Sequence, residues 1–399
     1  MYTAYCRTFQ SSMRMGMKLM NWRKPDLLQG ENSILKLPVL IQKLNLKTVL
    51  IITDEGINKL QLMDSLLEEM NEQNIEFVIY SKTVPNPTFT NIEEALALYY
   101  LHDCEGIIAF GGGSPMDCAK AVAARIAQPT KSIPDLKGLF KVRKEMPPFF
   151  AVPTTAGTGS EGTIAAVVSN SDTHEKFAIM DPVLIPHYAV LDPVLTVNLP
   201  PHITSTTGMD ALTHAVEAYI GKSNTAETRK YAREAVILIF KYLVRAYEDG
   251  SDMKARAEMQ RASYLAGLAF TRAYVGYVHA IAHTLGGFYQ IPHGFANAVI
   301  LPHVLRFYGE SATKPLAELA NIVGIGTIND NDERKAQLFI EEIEALNRKM
   351  NIPSKIKGII NRDVPVMVER AIQEANPLYP VPRILNEDEL FYLYQTIQE

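Results

Sequence analysis

The sequence predicts a chain of two halves: an α/β domain over residues 1–200 and an all-helical domain over residues 201–399. Three observations lead there. Short apolar runs rich in β-branched residues alternate with helical patterns as far as Leu191, which implies a parallel sheet. From His202 onward, long helical patterns follow one another with no convincing strand, and Leu199-Pro200-Pro201 punctuates the change. The length of 399 residues also exceeds what one compact core usually holds.

The elements follow in order. Residues 47–53 (KTVLIIT) form a continuous apolar run that reads as a strand buried on both faces. Asp54 and Gly56 sit at its carboxyl end. Residues 57–71 have helical periodicity, 76–80 read as a strand, and 91–101 as a helix with Glu93 and Glu94 suited to its first turn. A third strand, 106–110, runs into Gly111-Gly112-Gly113-Ser114-Pro115-Met116-Asp117, followed by a helix to about Ile126. Residues 149–152 form a further strand ending at Pro153-Thr154-Thr155 and a glycine-rich loop to Thr163. Residues 176–180 and 189–191 continue the strand pattern. Helical patterns then cover 204–220, 226–247, 253–270, 278–288, 315–323, 333–350 and 364–375.

Composition narrows the function classes. A hydrophobic share of 47% and a charged share of 21% are those of an ordinary globular protein. The net charge of -5 and the lack of a basic aromatic patch give no reason to expect nucleic acid. The longest apolar runs are far too short to span a bilayer. Arg7, Arg14, Lys18, Arg23 and Lys24 precede the first acid, Asp26, a faint transit-peptide flavour. No apolar signal core accompanies them, and residues 22–25 read better as the lead-in to a first strand. Cys6, Cys104 and Cys118 show no CxxC pattern and suit a reducing compartment, so a cytoplasmic enzyme is expected.

Two stretches carry chemistry. In Gly208-Met209-Asp210-Ala211-Leu212-Thr213-His214, the acid and the imidazole are four apart, on one helix face. His279 and His283 repeat that spacing, and the Ile291-Pro292-His293-Gly294 turn adds another imidazole. One carboxylate with several imidazoles suits Zn2+ or Fe2+. A lone histidine on a helix face is more often a satisfied core or capping residue. Four of the nine histidines fall within the 25 residues from His279 to His303, which weakens that reading. The second stretch is the triple glycine between strand and helix, an arrangement that holds a phosphate on backbone N–H groups. It is neither GxGxxG nor a Walker A sequence, and alone it could be a tight turn. The two stretches lie on opposite sides of the expected boundary, and clefts between domains commonly bind ligands.

Five motifs in order, GGGSPMDCAK (111–120), VPTTAGTGSEG (152–162), AVLDPVLT (189–196), GMDALTH (208–214) and VHAIAHTLGGFYQIPHG (278–294), resemble the iron-dependent (group III) alcohol dehydrogenase family over nearly the whole chain. The resemblance implies a dinucleotide-binding domain, a helical domain (the dehydroquinate synthase-like fold) and an active site in the cleft. It implies Asp210, His214, His279 and His293 as metal ligands, with His283 beside the metal and the nicotinamide. It implies Gly112, Gly113, Ser114 and Asp117 at the cofactor pyrophosphate. Thr154, Thr155 and Lys176 are implied beside the cofactor, and Asp54 at the adenosine ribose. A carboxylate at Asp54 accepts from a 2′-hydroxyl and repels a 2′-phosphate, which favours NAD over NADP. Gly162, where a valine is common, and Ala273-Tyr274 depart from the family pattern without removing a functional group.

The expected activity is reversible hydride transfer between a small alcohol, or its aldehyde, and NAD. Fe2+ is expected to polarise the substrate oxygen, Zn2+ being the other candidate, and His283 to relay a proton. A homodimer is expected from the resemblance. The alternatives are a hydroxyacid–oxoacid transhydrogenase with retained NAD, and a dehydroquinate synthase-like lyase. The lyase needs a basic pocket, and no Lys or Arg lies between His279 and His293. A non-enzymatic assembly protein is disfavoured by the complete ligand set.

Overall fold

The apolar runs become the middle of a parallel sheet. The computed structural model describes residues 2–18, 20, 22–171 and 176–399. Its strands are β1 (Asp26–Gln29), β2 (Thr48–Ile52), β3 (Glu76–Tyr80), β4 (Gly106–Gly111), β5 (Gly138–Leu139), β6 (Phe149–Pro153), β7 (Ala165–Ser169), β8 (Lys176–Met180) and β9 (Tyr188–Leu191). A six-stranded sheet has the order β1-β9-β6-β4-β2-β3, and every pairing in it is parallel. β5, β8 and β7 form a small second sheet.

Alternation along the central strands sends side chains to two cores, because successive residues point to opposite faces. Leu50, Ile52, Ile107, Ala109, Phe149 and Ala151 enter one core, which also takes Ala119 and Val122 of the helix Gly113–Ala127. Val49, Ile51, Ile108, Phe110, Phe150 and Val152 enter the other, with Ile41, Leu66 and Met70. Burying each such large side chain stabilises the fold by about 1.5–3 kcal/mol. Sheet and flanking helices together make the expected α/β domain.

The chain reverses direction across the sheet between β2 and β4. After β2 it goes outward to β3; after β4 it runs the other way through β6 and β9. Ligands of open α/β sheets sit at such a switch point, outside the carboxyl ends of the strands. Asp54 follows β2 there, and the glycine turn follows β4. β5 and β7 were not among the expected strands, and β1 was anticipated only by its lead-in at residues 22–25. β1 is short and largely exposed, so it carries no apolar run.

The structure divides into Trp22–Leu199 and a helical unit of Met1–Asn21 with Pro200–Glu399. The start of the chain therefore departs from the expected domain of residues 1–200. Tyr2–Lys18 is a helix of the helical unit. Its buried Cys6 and Gln10 lie four apart on one face, and Arg7 donates to the carbonyls of Val381 and Pro382. Among the described residues this unit has only an isolated bridge between Ile356 and Gln398 and no named strand.

The helix Pro201–Ile220 is buried almost throughout from Gly208 to Ile220 and runs through the middle of this unit. The helices Ala226–Glu248, Met253–Ala273 and His293–Tyr308 pack on it. Close crossings need glycine. A Cβ on Gly208 would stand 2.2 Å from Leu243 Cδ1, and one on Gly294 would stand 2.4 Å from the Thr206 carbonyl oxygen. His293–Tyr308 is the main difference from the expected helices. Pro302 interrupts its pattern, and burial on nearly all sides removes the amphipathic period that marks a surface helix. His293 is consequently the first residue of a helix and not a turn residue.

Gly111 has φ +149, and an added Cβ would meet Pro115 Cγ at 2.6 Å. Gly111→Ala is expected to lower the unfolding free energy by about 1–3 kcal/mol. A shift in the urea midpoint checks it, and an unchanged midpoint would show that the turn yields without strain.

Candidate functional site

Asp210, His214 and Glu217 occupy successive turns on one face of the helix Pro201–Ile220. His279 and His283 occupy one face of the helix Tyr277–Tyr289, and His293 opens the next helix. Packing brings Asp210, His214, His279 and His293 together, with one ligand atom from each lying within 4.8 Å of the others. Asp210, His214 and His279 are buried; the His293 side chain is 38% exposed, so the cluster opens on that side. His214 is clamped between Phe270 and His279, with ring centroids at 4.2 and 4.4 Å.

The arrangement around Asn297 tests the fit to a cation. Its Nδ2 lies 2.7 Å from Asp210 Oδ1, 3.2 Å from His279 Nε2 and 3.1 Å from His293 Nε2. Three ligand atoms converge on an amide with two hydrogens, while Asn297 Oδ1 is buried without a partner. Burial holds His279 well below the usual histidine value, and the neighbouring imidazoles push the same way. A neutral imidazole keeps its lone pair for a metal. The donor set of three imidazoles and one carboxylate fits Fe2+ or Zn2+.

Glu217 sets the geometry of His279. Its Oε2 accepts from His279 Nδ1 at 2.6 Å and from the Gly276 N–H at 2.9 Å, and its Oε1 accepts from the Val278 N–H at 2.9 Å. The same carboxylate thus caps the helix Tyr277–Tyr289 and turns His279 Nε2 toward the cluster. A Cβ on Gly276 would lie 2.7 Å from Glu217 Oε1, so this contact requires glycine. Burial pushes the Glu217 carboxyl up to about 8, opposed by the backbone N–H groups around His279. His283 is not one of the four converging residues. Its ring stacks on His293 at 5.1 Å, and its Nδ1 lies 2.6 Å from Glu374 Oε1.

The expected cofactor residues fall on adjacent strand ends. β2, β4 and β6 are neighbours, so Asp54, the glycine turn and Thr154-Thr155 stand side by side. Asp54 caps the short helix Glu55–Lys59 by accepting from the Ile57 N–H at 2.9 Å. Gly112 approaches Thr155, and Gly113 approaches Thr158 so closely that a Cβ would meet it at 2.9 Å. The first backbone N–H groups of the helix Gly113–Ala127 face the end of the sheet, a fit for a pyrophosphate. Ser114 Oγ accepts from the Asn86 N–H at 3.3 Å. Asp117 is engaged inward, accepting from Ser160 Oγ at 3.4 Å. Lys176 starts β8 in the second sheet, opposite Ser169, and burial lowers its pKa.

Several residues that shape the site were not among the sequence candidates. Glu217 and Asn297 carried a local signal, since each extends a ligand-bearing helix face by one turn. Glu374 carried none, because it lies 91 positions from His283. Lys120 is fully buried, and its Nζ reaches the Ser160, Thr163 and Ala165 carbonyls at 2.6, 2.9 and 3.1 Å and the Thr163 hydroxyl at 2.9 Å. It ties the helix after the glycine turn to the loop after β6.

Comparison with known proteins follows the same division. Residues 25–193 match the family model described as iron-containing alcohol dehydrogenase, and residues 204–398 match that of the Fe-containing alcohol dehydrogenase family, C-terminal. The chain is 39% identical over 350 residues to alcohol dehydrogenase 4 of Saccharomyces cerevisiae, covering 87% of this chain and 90% of that protein. It is 33% identical to the NAD-dependent methanol dehydrogenase of Bacillus methanolicus, covering 88% and 92%. A solved 1,3-propanediol oxidoreductase superposes with a TM-score of 0.90 at 36% identity, covering 94% of this chain and 99% of that one.

Glu217→Gln places an amide NH2 against one of three N–H donors. The metal-free variant is expected to lose about 1–3 kcal/mol of stability, and metal affinity is expected to fall about 10- to 100-fold. Urea unfolding and competition with a chelator read the two effects. Unchanged metal affinity would remove Glu217 from the support of His279.

Proposed function

The chain belongs to the iron-containing alcohol dehydrogenase family, and on that premise we propose which of its residues interconvert a small alcohol and its aldehyde. The enzyme is a metal-dependent, NAD-linked oxidoreductase. The observation that carries the reading is the convergence of Asp210, His214, His279 and His293 within 4.8 Å. Asp210, His214, His279 and His293 would hold the metal, which would supply Lewis acidity for the alcohol oxygen, and NAD+ would supply the hydride acceptor.

The protein residues supply orientation, charge and a proton path. Asp210 contributes the single negative charge of the ligand set. Glu217 holds His279 with Nε2 forward, and Gly294 lets the His293 helix approach the Asp210 helix. His283, one third exposed, exchanges the alcohol proton through Nε2, since Nδ1 is already committed to Glu374. Asp54 accepts from the ribose 2′-hydroxyl with the carboxylate oxygen left over from capping. Gly112, Gly113 and Ser114 take the pyrophosphate, and Thr154, Thr155 and Lys176 lie along the cofactor. Asp117 serves that site by holding the Ser160 loop.

The substrate is a small aliphatic alcohol or diol. The similarity to proteins named for methanol and 1,3-propanediol supports that size. Iron is the metal of the reading; the family description supports it, although the donor set accepts zinc as well. The enzyme is a cytoplasmic homodimer in this reading. Three buried free cysteines suit a reducing compartment, and no described helix is long and apolar enough to cross a membrane.

Chelator-stripped enzyme is expected to regain NADH formation from primary alcohols on anaerobic addition of Fe2+; recovery with Zn2+ alone would overturn iron. His279→Ala is expected to lose bound metal and activity together, while His283→Ala keeps the metal and loses turnover by about 100-fold or more. Normal turnover in His283→Ala would remove the proton role. Asp54→Gly is expected to raise NADP use relative to NAD, and an unchanged cofactor ratio would take Asp54 out of the ribose contact.

A further inference from the structure

His279 and His283 lie on one helix face, and each has its Nδ1 bound by a carboxylate from another helix. Glu217 serves the buried ligand. Glu374, from the helix Val364–Ala375, serves the histidine outside the ligand set. A carboxylate accepts and does not donate, so Glu374 keeps the proton of His283 on Nδ1, and in the neutral ring the lone pair then lies on Nε2. Glu374 is itself oriented, because Oε1 also accepts from the Tyr379 hydroxyl at 2.8 Å.

The support continues outward to the first helix of the chain. Gln10 is 5% exposed, and its Nε2 donates to the carbonyls of Pro377 at 3.1 Å and Tyr379 at 2.8 Å. Arg7 donates to Val381 at 2.7 Å, to Pro382 at 3.0 Å and to Gln10 Oε1 at 2.9 Å. Two side chains of one helix face therefore pin the segment that delivers Tyr379 to Glu374. This helix, Tyr2–Lys18, lies outside the residues matched by the family models.

We propose that Glu374 is the positioning residue for His283, and that the N-terminal helix supports it through Gln10 and Tyr379. The proposal rests on the Glu374 contact to His283 Nδ1 and on the place of His283 in the function proposed above. Glu374 does not touch the reacting atoms. It fixes which ring nitrogen carries the hydrogen and where the ring points, so its loss slows turnover without weakening substrate binding.

The test uses the metal-loaded enzyme with five variants: Glu374→Ala, Glu374→Gln, Gln10→Ala, His283→Ala and the Gln10→Ala/Glu374→Ala pair. Bound metal, thermal midpoint, kcat and KM are measured for each. Glu374→Ala is expected to keep metal and KM and to lose kcat about tenfold or more. Glu374→Gln is expected to recover much of that, because its amide oxygen still accepts from Nδ1. Gln10→Ala is expected to lower kcat less, and to add nothing on the Glu374→Ala background.

Wild-type kcat in Glu374→Ala, with His283→Ala still impaired, overturns the positioning role and leaves the proton role standing. Wild-type kcat in His283→Ala overturns both. A Glu374→Ala enzyme that loses metal and thermal midpoint together has lost its fold support, which also overturns the proposal. Independent, additive effects of Gln10→Ala would sever the N-terminal helix from the pair.

Discussion

One buried carboxylate organises the helical unit. Glu217 is enclosed by three donors, two of them backbone N–H groups at the start of the helix Tyr277–Tyr289 and the third the His279 imidazole. An isolated buried carboxylate is costly, so it persists where donors surround it. Here the donors are the unmatched N–H groups that any helix start presents. Satisfying the acid therefore positions the helix, and positioning the helix delivers His279 with Nε2 toward Asp210. The metal cluster follows from this contact and from the two glycine crossings, Gly276 at Glu217 and Gly294 at Thr206.

The α/β unit solves a similar problem with opposite charge. Lys120 is fully buried, and its three ammonium hydrogens are shared among four oxygens of the loop after β6 and the carbonyl of Ala165 at the start of β7. Burial lowers its pKa, while Asp117 and Glu161 pull it back up. Glu161 is itself raised to about 7 by burial. The result is a stiff loop against a stiff glycine turn, at the switch point of the sheet. Such a surface presents backbone N–H groups without having to reorganise when an anionic ligand arrives.

The two histidines of one helix meet different surroundings. His279 is enclosed, and burial keeps its ring neutral, the form that binds a metal. His283, one turn later, is one third exposed and hydrogen-bonded to a glutamate exposed to the same degree. The spacing of four made both visible in the sequence, but it could not divide the work between them. That division depends on which helices pack at each turn. Glu374 and, behind it, Gln10 come from opposite ends of the chain, with no local pattern to announce them.

By itself the sequence determined the α/β-then-helical order, the buried central strands and the glycine turn, and its resemblance to the family implied the four residues that converge. Those features are written in local periodicity and in motifs whose residues serve one short segment each. Only the tertiary structure decided that His293 opens a buried helix, that the first helix joins the helical unit, that Glu217, Asn297 and Glu374 contact the candidate histidines, and that Lys120 binds the loop after β6. Each of these depends on a donor meeting an acceptor from a distant segment, or on a helix buried on most sides. Neither leaves a period in the sequence, because the partner that gives the residue its meaning is supplied by packing.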